Sequence, residues 1–389
     1  MGANGTGFSV RFILSNNLPG SATRFTADTA TVFARLGVPT TVLFPAVDWW
    51  DFRLFSISRT KFPGKWKLIL KLASEMVANV PFRRKWCGFK YHPVDPKVRA
   101  ARYLLTPSAL DWRENEVTVV HPPYLIPHLL RTIPRPGIKL VSVLHMNLEK
   151  AMQSPHPETA AWFTHWVARD HFISVPRYTT SEAAKRAAER LGIQVRKVIY
   201  DGSVDLNLFR TASSKRREGP LVITLYCDPT PQKGQAVGVE VFKKLKSVAS
   251  DIRLCSLGHV MKEHASVFDH NYGYLHGEAL VNAFQNSDIF VYPSFFDGFP
   301  APPLQAMACG AALVTTAVEG VTEYGEHEHN CLLCDPGDVE GIQDQVLRLI
   351  QNRELREALQ LNGPKTAERF SVESSARQLL EFLREVHEE

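Results

Sequence analysis

Residues 287–316 read SDIFVYPSFFDGFPAPPLQAMACGAALVTT, and this stretch decides the fold. Ile289 to Tyr292 is a short apolar run of β-favouring residues, the pattern of a buried strand. Pro293 ends it, and a loop with a carboxylate, a glycine and several prolines follows. Pro302 and Pro303 suit a first helical turn, so a helix is expected through Leu304, Gln305, Ala306 and Met307 to Gly310. Ala311 to Val314 resumes as a second buried strand. Together these form a βαβ unit whose loop falls at the carboxyl end of its strand, where open parallel sheets bind ligands. Asp297 on the loop and Gln305 in the helix are separated by seven residues. Both can face one ligand beside a helix N-terminus, whose free N–H groups favour a phosphate. The plainer reading of the same spacing is a loop carboxylate and a solvated helix glutamine.

The flanking chain repeats the alternation. Val10 to Leu14 reads as a strand, Asn16 to Ser21 as a polar turn, Thr26 to Leu36 as a helix stopped by Gly37, and Thr40 to Phe44 as a strand. Val117 to Val120 ends in His121 and Lys139 to Leu144 ends in His145, which puts both histidines at strand carboxyl ends. There each is either a hydrogen-bonded loop residue or a group facing a cleft. Phe172 to Val175 is expected as a strand and Thr180 to Gly192 as a helix. Thr211 to Pro220 is polar and without apolar periodicity, the pattern of an interdomain linker. Leu221 to Tyr226 opens a second domain, and the turn Cys227 to Gly234 sets Lys233 beside a helix N-terminus. That lysine is either surface-solvated or placed to neutralise a diphosphate. Ser371 to Glu388 reads as a last amphipathic helix.

At 389 residues the chain suffices for two α/β domains, and no apolar run is long enough to span a membrane. The first residues carry no basic segment followed by an apolar core, so no secretory leader is expected. Four of the six cysteines sit in apolar or small-residue runs, which suits a reducing cytoplasm. His327, His329, Cys331 and Cys334 crowd together, but on a strand the two cysteines would point to opposite faces, which argues against a zinc site. The formal charge of +5 is uneven: Arg59 to Arg102 holds twelve Lys or Arg against two acids, so the rest of the chain is net negative. Within this region Lys65 to Val80 has a helical pattern. It is read either as a helix packed on the N-terminal sheet or as a surface lying on anionic lipid. No nucleic-acid-binding module accompanies the charge.

The opening stretch resembles the signature of retaining GT-B glycosyltransferases of family 4, E-G-F-G-x-x-x-x-E-A-M-A-C-G. Here it reads Asp297-Gly298-Phe299-Pro300 and then Gln305-Ala306-Met307-Ala308-Cys309-Gly310, in register without a gap. Both acids of the pair are changed, and Pro300 replaces the second glycine. Lys233-Gly234 is similar to the end of the family's G-R-x-x-x-x-x-K-G turn, with the arginine position falling near Cys227. Asp201-Gly202-Ser203-Val204-Asp205 with Phe209 resembles its N-G-V-D-x-x-x-F hinge. Tyr272-Gly273-Tyr274-Leu275 resembles the segment that meets the nucleotide base.

The resemblance implies an α/β GT-B fold of two Rossmann-like domains facing a cleft, with a C-terminal helix crossing back to the first. The implied bounds are 1–210 for an acceptor domain, 211–370 for a donor domain and 371–389 for the terminal helix. It implies sugar transfer from a nucleotide sugar to a glycan or lipid-linked acceptor with retention, in cell-surface glycan synthesis, at the cytoplasmic face of a membrane. No Asp-x-Asp occurs in the chain, and no metal or other cofactor is expected; positive groups and helix termini would hold the leaving diphosphate. By resemblance His145 and Asp297 act at the sugar. Lys233, Gly234, Tyr274, Gly298, Phe299 and Gln305 bind the donor, while Gly20 and His121 lie on the acceptor side. The altered residues resemble those of members that add deoxysugars such as rhamnose from dTDP donors. The Arg59 to Arg102 region would contact an anionic acceptor or membrane, and nucleic acid is not an expected partner. The rival is a non-catalytic GT-B-like protein that binds a sugar nucleotide, motivated by the missing arginine and the altered acids.

Overall fold

Apolar runs ended by glycine or proline form two sheets in which every paired strand is parallel. The computed structural model describes residues 7–14, 21–45, 97, 99–103, 113, 115–121, 137–145, 147–153, 164, 167, 175–200, 204–212 and 219–389. Gly20 and most of the basic region, including the expected Lys65 to Val80 helix, lie outside these residues.

The chain divides into two units, Met1–Asp201 with Ser375–Glu389, and Gly202–Ser374. In the first, β1 (Ser9–Ile13), β2 (Thr40–Pro45), β3 (Arg99–Tyr103), β4 (Glu116–Val120), β5 (Lys139–Leu144), β6 (Arg177–Thr179) and β7 (Lys197–Val198) form one sheet. Their spatial order is β3-β2-β1-β4-β5-β6-β7. The order runs outward in both directions from the β1/β4 pair, as in a doubly wound fold. Helix α1 (Ser21–Arg35) buries Phe25, Ala30 and Phe33, and Gly37 follows it at φ 78°. After α2 (Leu148–Met152), α3 (Glu182–Arg190) is capped by Ser181, whose side chain accepts from Ala184 N at 3.1 Å. It buries Ala183, Ala184, Ala187 and Ala188, the spacing of one helix face.

Two strands in this unit were not expected. The strand expected at Phe172 to Val175 lies, except for Val175, outside the described residues; Arg177 to Thr179 is a strand that pairs with Ser142 to Leu144. Arg177 and Thr179 are polar yet buried, because pairing next to β5 outweighs side-chain polarity. Strand β3 was not expected at all, because its sequence RAARY is read as part of a basic run.

The second unit holds β8 (Leu221–Cys227), β9 (Ile252–Gly258), β10 (His270–Asn271), β11 (Ile289–Tyr292), β12 (Ala312–Thr316) and β13 (Cys331–Cys334). Their order is β10-β9-β8-β11-β12-β13, again diverging from a central pair. Helices α4 (Gln235–Val248), α5 (Glu278–Gln285), α6 (Ala301–Ala308), α7 (Val339–Gln351) and α8 (Arg353–Glu368) belong to it. Ile223, Leu225, Ile289, Val291, Val314 and Leu332 are all buried, as expected for strands covered on both faces. The unit begins at Gly202, so Asp205 and Phe209 lie within it, and the Phe209 ring packs 6.3 Å from Phe284. Helix α9 (Val372–Glu388) closes the chain; from Ser375 it belongs to the first unit, where Phe382 meets Tyr178 edge-on at 6.2 Å.

Candidate functional site

In an open parallel sheet the ligand crevice lies beyond the carboxyl ends of the two strands from which the order diverges. In the second unit those strands are β8 and β11. β8 ends in Tyr226 and Cys227, and an Asp228 turn follows in which Oδ1 accepts from Thr230 N at 2.8 Å. A 3₁₀ turn, Pro231 to Lys233, leads to Gly234 at φ 69° and into α4.

The loop after β11 is stitched to this turn. Phe295 N donates to Gln232 O at 2.8 Å, and the Ser294 hydroxyl lies 3.0 Å from the same carbonyl. A β-carbon at position 234 would sit 1.9 Å from Pro293 O, so only glycine fits. Its positive φ is a second reason for glycine. This close approach brings Lys233 to Asp297.

Lys233 Nζ pairs with Asp297 Oδ2, and Tyr292 Oη donates to that same oxygen at 2.5 Å. Lys233 Nζ also lies 3.4 Å from Tyr292 Oη. The Tyr226 ring packs against Tyr292 with centroids 5.2 Å apart. Burial, and then the Asp297 charge, push the Tyr292 phenol well above its usual range; burial does the same for Tyr226. Both stay neutral O–H groups near pH 7. Cys227 is 1% exposed in the core, and burial pushes its thiol up to about 12. The position expected to carry an arginine therefore points inward, and Tyr226 is the β8 residue that meets the Tyr292–Asp297 pair.

Helix ends reinforce the site. Neither α4 after Gly234 nor α6 after Pro300 has a side-chain cap, and α5 after Gly277 lacks one as well. Elsewhere α7 and α8 are capped by Asp338 and Asn352. The first turn of α4 keeps N–H groups with hydrogen-bonding capacity, whereas in α6 Pro302 and Pro303 have none and the helix offers mainly the positive end of its dipole. Gln235, in the first turn of α4, ties it to the loop after β9: Nε2 donates to His259 O at 2.8 Å and Oε1 accepts from Met261 N at 3.0 Å.

The other expected donor residues are dispersed in environment. Gly298 presses against Gly320, where a β-carbon would come 2.3 Å from Gly298 O, and Gly320 N donates to Asp297 O at 3.1 Å. The Phe299 ring is buried between Tyr324 and Phe370, each 5.5 Å away, so its side chain serves the core and only its backbone faces the loop. Gln305 is 2% exposed. It is a buried side chain, against the solvated glutamine of the plainer reading. Tyr274 is 60% exposed, next to Gly273, whose carbonyl accepts from Gly258 N at 2.8 Å.

The first unit shows an equivalent crevice position at β1 and β4, and His121 lies at the end of β4. Its Nδ1 is 2.9 Å from His145 Nε2 and its Nε2 is 3.0 Å from Thr26 Oγ1. The two rings stack at 5.0 Å and 17°. Burial, and then the neighbouring His145, hold His121 well below the usual histidine range, so it is neutral. One proton lies between the rings, so their tautomers are linked. The two histidines were expected in separate roles; the structure joins them. Tyr226, Tyr292, Thr26 and Gly320 were not anticipated as site residues. The signal available for Tyr292 was a phenol as the last residue of a strand flanking the crevice.

Residues 210–366 match the family model described as glycosyl transferases group 1. Over 108 residues the chain is 34% identical to O-antigen chain mannosyltransferase B of Escherichia coli, covering 28% of each protein. It is 30% identical, over 26% of this chain and 27% of the other, to the N,N'-diacetylbacillosaminyl-diphospho-undecaprenol alpha-1,3-N-acetylgalactosaminyltransferase of Campylobacter jejuni. The capsular polysaccharide biosynthesis glycosyltransferase CapM of Staphylococcus aureus is 24% identical over 33% of this chain and 37% of its own. The chain thus spans between a quarter and two-fifths of these relatives. The structure of Anabaena HepE in complex with UDP and glucose superposes with a TM-score of 0.67 at 16% identity, over 97% of this chain and 99% of that one. Sucrose-phosphate synthase from Thermosynechococcus elongatus gives 0.69 at 15% identity, over 97% and 98%. The fold is therefore the α/β GT-B fold.

Proposed function

We propose that this chain transfers a sugar from a nucleotide-sugar donor to a glycan or lipid-linked acceptor. The observation that carries the reading is the Lys233–Asp297–Tyr292 cluster at the β8/β11 crevice, flanked by two uncapped helix N-termini. A diphosphate there meets a cation, the first-turn N–H groups of α4 and the positive end of α6, whose Pro302 and Pro303 have no N–H; these stabilise charge developing on a leaving phosphate. Asp297 faces the sugar hydroxyls, the amide of Gln305 takes a ribose hydroxyl, and the backbone around Tyr274 meets the base. His145, held by His121, acts on the sugar. The acceptor hydroxyl oxygen bonds to the anomeric carbon as the bond to the diphosphate oxygen breaks, and the hydroxyl proton passes to that leaving oxygen, with retention of configuration and without a metal.

The names of the quoted relatives, which concern O-antigen, an undecaprenol-linked sugar and capsule, support an acceptor in surface-glycan synthesis, and the proposed place of transfer is the cytoplasmic face of a membrane. No helix among the described residues is long and apolar enough to cross a membrane. Contact with anionic lipid would fall to the basic region, which lies outside those residues. All three quoted curated relatives are named as glycosyl-transferring enzymes, so the non-catalytic reading is not favoured. The test is incubation with a panel of nucleotide sugars, including dTDP-rhamnose, and lipid-linked acceptors, with release of nucleoside diphosphate as the readout. No release with any pair, despite measurable donor binding, refutes the enzyme reading. Neutralising Arg83, Arg84 and Lys85 should lower binding to anionic liposomes at low salt, and unchanged binding refutes the membrane contact.

A further inference from the structure

One carboxylate oxygen holds two partners in the second unit. Asp297 Oδ2 accepts from Lys233 Nζ and from Tyr292 Oη, and the Lys233 and Asp297 side chains are only 21% and 17% exposed. The two charges offset one another, so the lysine at this turn presents little net charge to an incoming anion. The pairing is imposed by the backbone: Gly234 is locked against Pro293 O, and Phe295 N against Gln232 O. These contacts keep the two side chains within reach of one another, while the four-carbon lysine stem lets Nζ swing off the carboxylate without separating the loops.

We propose that Asp297 is an internal competitor that drives off the nucleoside diphosphate after transfer, an inference that rests on the glycosyltransferase reading. When a nucleotide sugar binds, Lys233 moves to the diphosphate and the Asp297 carboxylate turns to the sugar hydroxyls. When the sugar has left, those hydroxyls are gone, and the carboxylate reclaims Lys233 from the product. Tyr292 makes the exchange cheap in free energy, because its hydroxyl keeps one hydrogen bond to the carboxylate throughout. A partly buried carboxylate stripped of both partners would instead be disfavoured. The uncapped first turn of α4 takes the rest of the diphosphate, so the competition concerns the lysine alone. The donor is thereby held more tightly than the product it becomes, although both carry the same diphosphate.

The test is calorimetric titration of wild type, Asp297→Asn, Lys233→Met and the double variant with inorganic pyrophosphate and with UDP, GDP, ADP and dTDP. Asp297→Asn keeps the size of the side chain and removes its charge. It should bind the preferred diphosphate about three- to tenfold more tightly than wild type, the range of one charge-assisted contact. In the Lys233→Met background the same change should have no effect. Equal or weaker binding by Asp297→Asn, with Lys233 intact, overturns the proposal. Tyr292→Phe serves as a second variant: it leaves Asp297 on Lys233 alone and should weaken diphosphate binding, so tighter binding counts against the idea. If Asp297→Asn binds diphosphate more tightly but no nucleotide sugar is turned over, the competition stands and the transferase reading falls. If turnover is found without that gain, the reverse holds. No diphosphate binding by any variant overturns both.

Discussion

Gly234 lies against Pro293 so closely that a β-carbon would come 1.9 Å from the Pro293 carbonyl oxygen. The contact joins the turn after β8 to the loop after β11, and Lys233 and Asp297 meet because of it. Gly234→Ala adds that carbon at φ 69°, a conformation L side chains resist. The expected loss is about 2–5 kcal/mol from backbone strain and overpacking together. Urea unfolding should show it, and a change under 1 kcal/mol would mean the loops part easily.

Tyr292→Phe keeps the ring against Tyr226 and removes the hydrogen bond to Asp297. A hydrogen bond to a charged group is worth about 1.5–3 kcal/mol, and partial solvent access at Asp297 puts the expected loss near the lower figure. The variant should melt at a lower temperature than wild type, and an unchanged melting temperature argues that the phenol contributes packing only.

His121 couples stability to pH. Its pKa in the folded protein is lowered from the ordinary 6.5 by burial and by His145. Below that ordinary value the unfolded chain binds a proton that the folded one refuses, so folding stability falls as pH falls. The slope is at most about 1.4 kcal/mol per pH unit, from the unfolded pKa down to the lowered one. Urea titrations of wild type and His121→Asn between pH 7 and pH 5 should diverge, the variant losing less. Parallel curves would show that His121 takes up its proton without penalty.

Cys227→Arg tests whether a second cation can simply be restored. Position 227 is 1% exposed within the second core, among strand and helix side chains. An arginine there is overpacked and unpaired, so the variant should lose about 3 kcal/mol or more and gain no diphosphate affinity. A stable variant with tighter binding would show that the side chain escapes into the crevice.

The strand and helix pattern was legible because parallel strands covered on both faces must be apolar, and their ends are punctuated by glycine and proline. Ile289–Tyr292 and Lys139–Leu144 emerge as the sequence pattern predicts them. The pattern failed where a strand is polar: RYT at Arg177–Thr179 and RAARY at Arg99–Tyr103 are strands by virtue of their neighbours. Pairing energy depends on what lies alongside, which a linear pattern does not contain.

By itself, the sequence determined the alternation of strand and helix, the lysine and glycine of the turn after β8, and the motif running from Asp297 to Gly310. Those features are local, set by hydrophobic period, backbone freedom at glycine and the rigidity of proline. Only the tertiary structure decided that Cys227 faces the core while Tyr226 meets the site, and that Phe299 is a core ring. Only it set Tyr292 and Lys233 on one oxygen of Asp297, and tied His145 through His121 to Thr26, which lies 95 residues before His121. Such pairings follow from which strands become neighbours in the sheet, and strand order is a property of the packed chain.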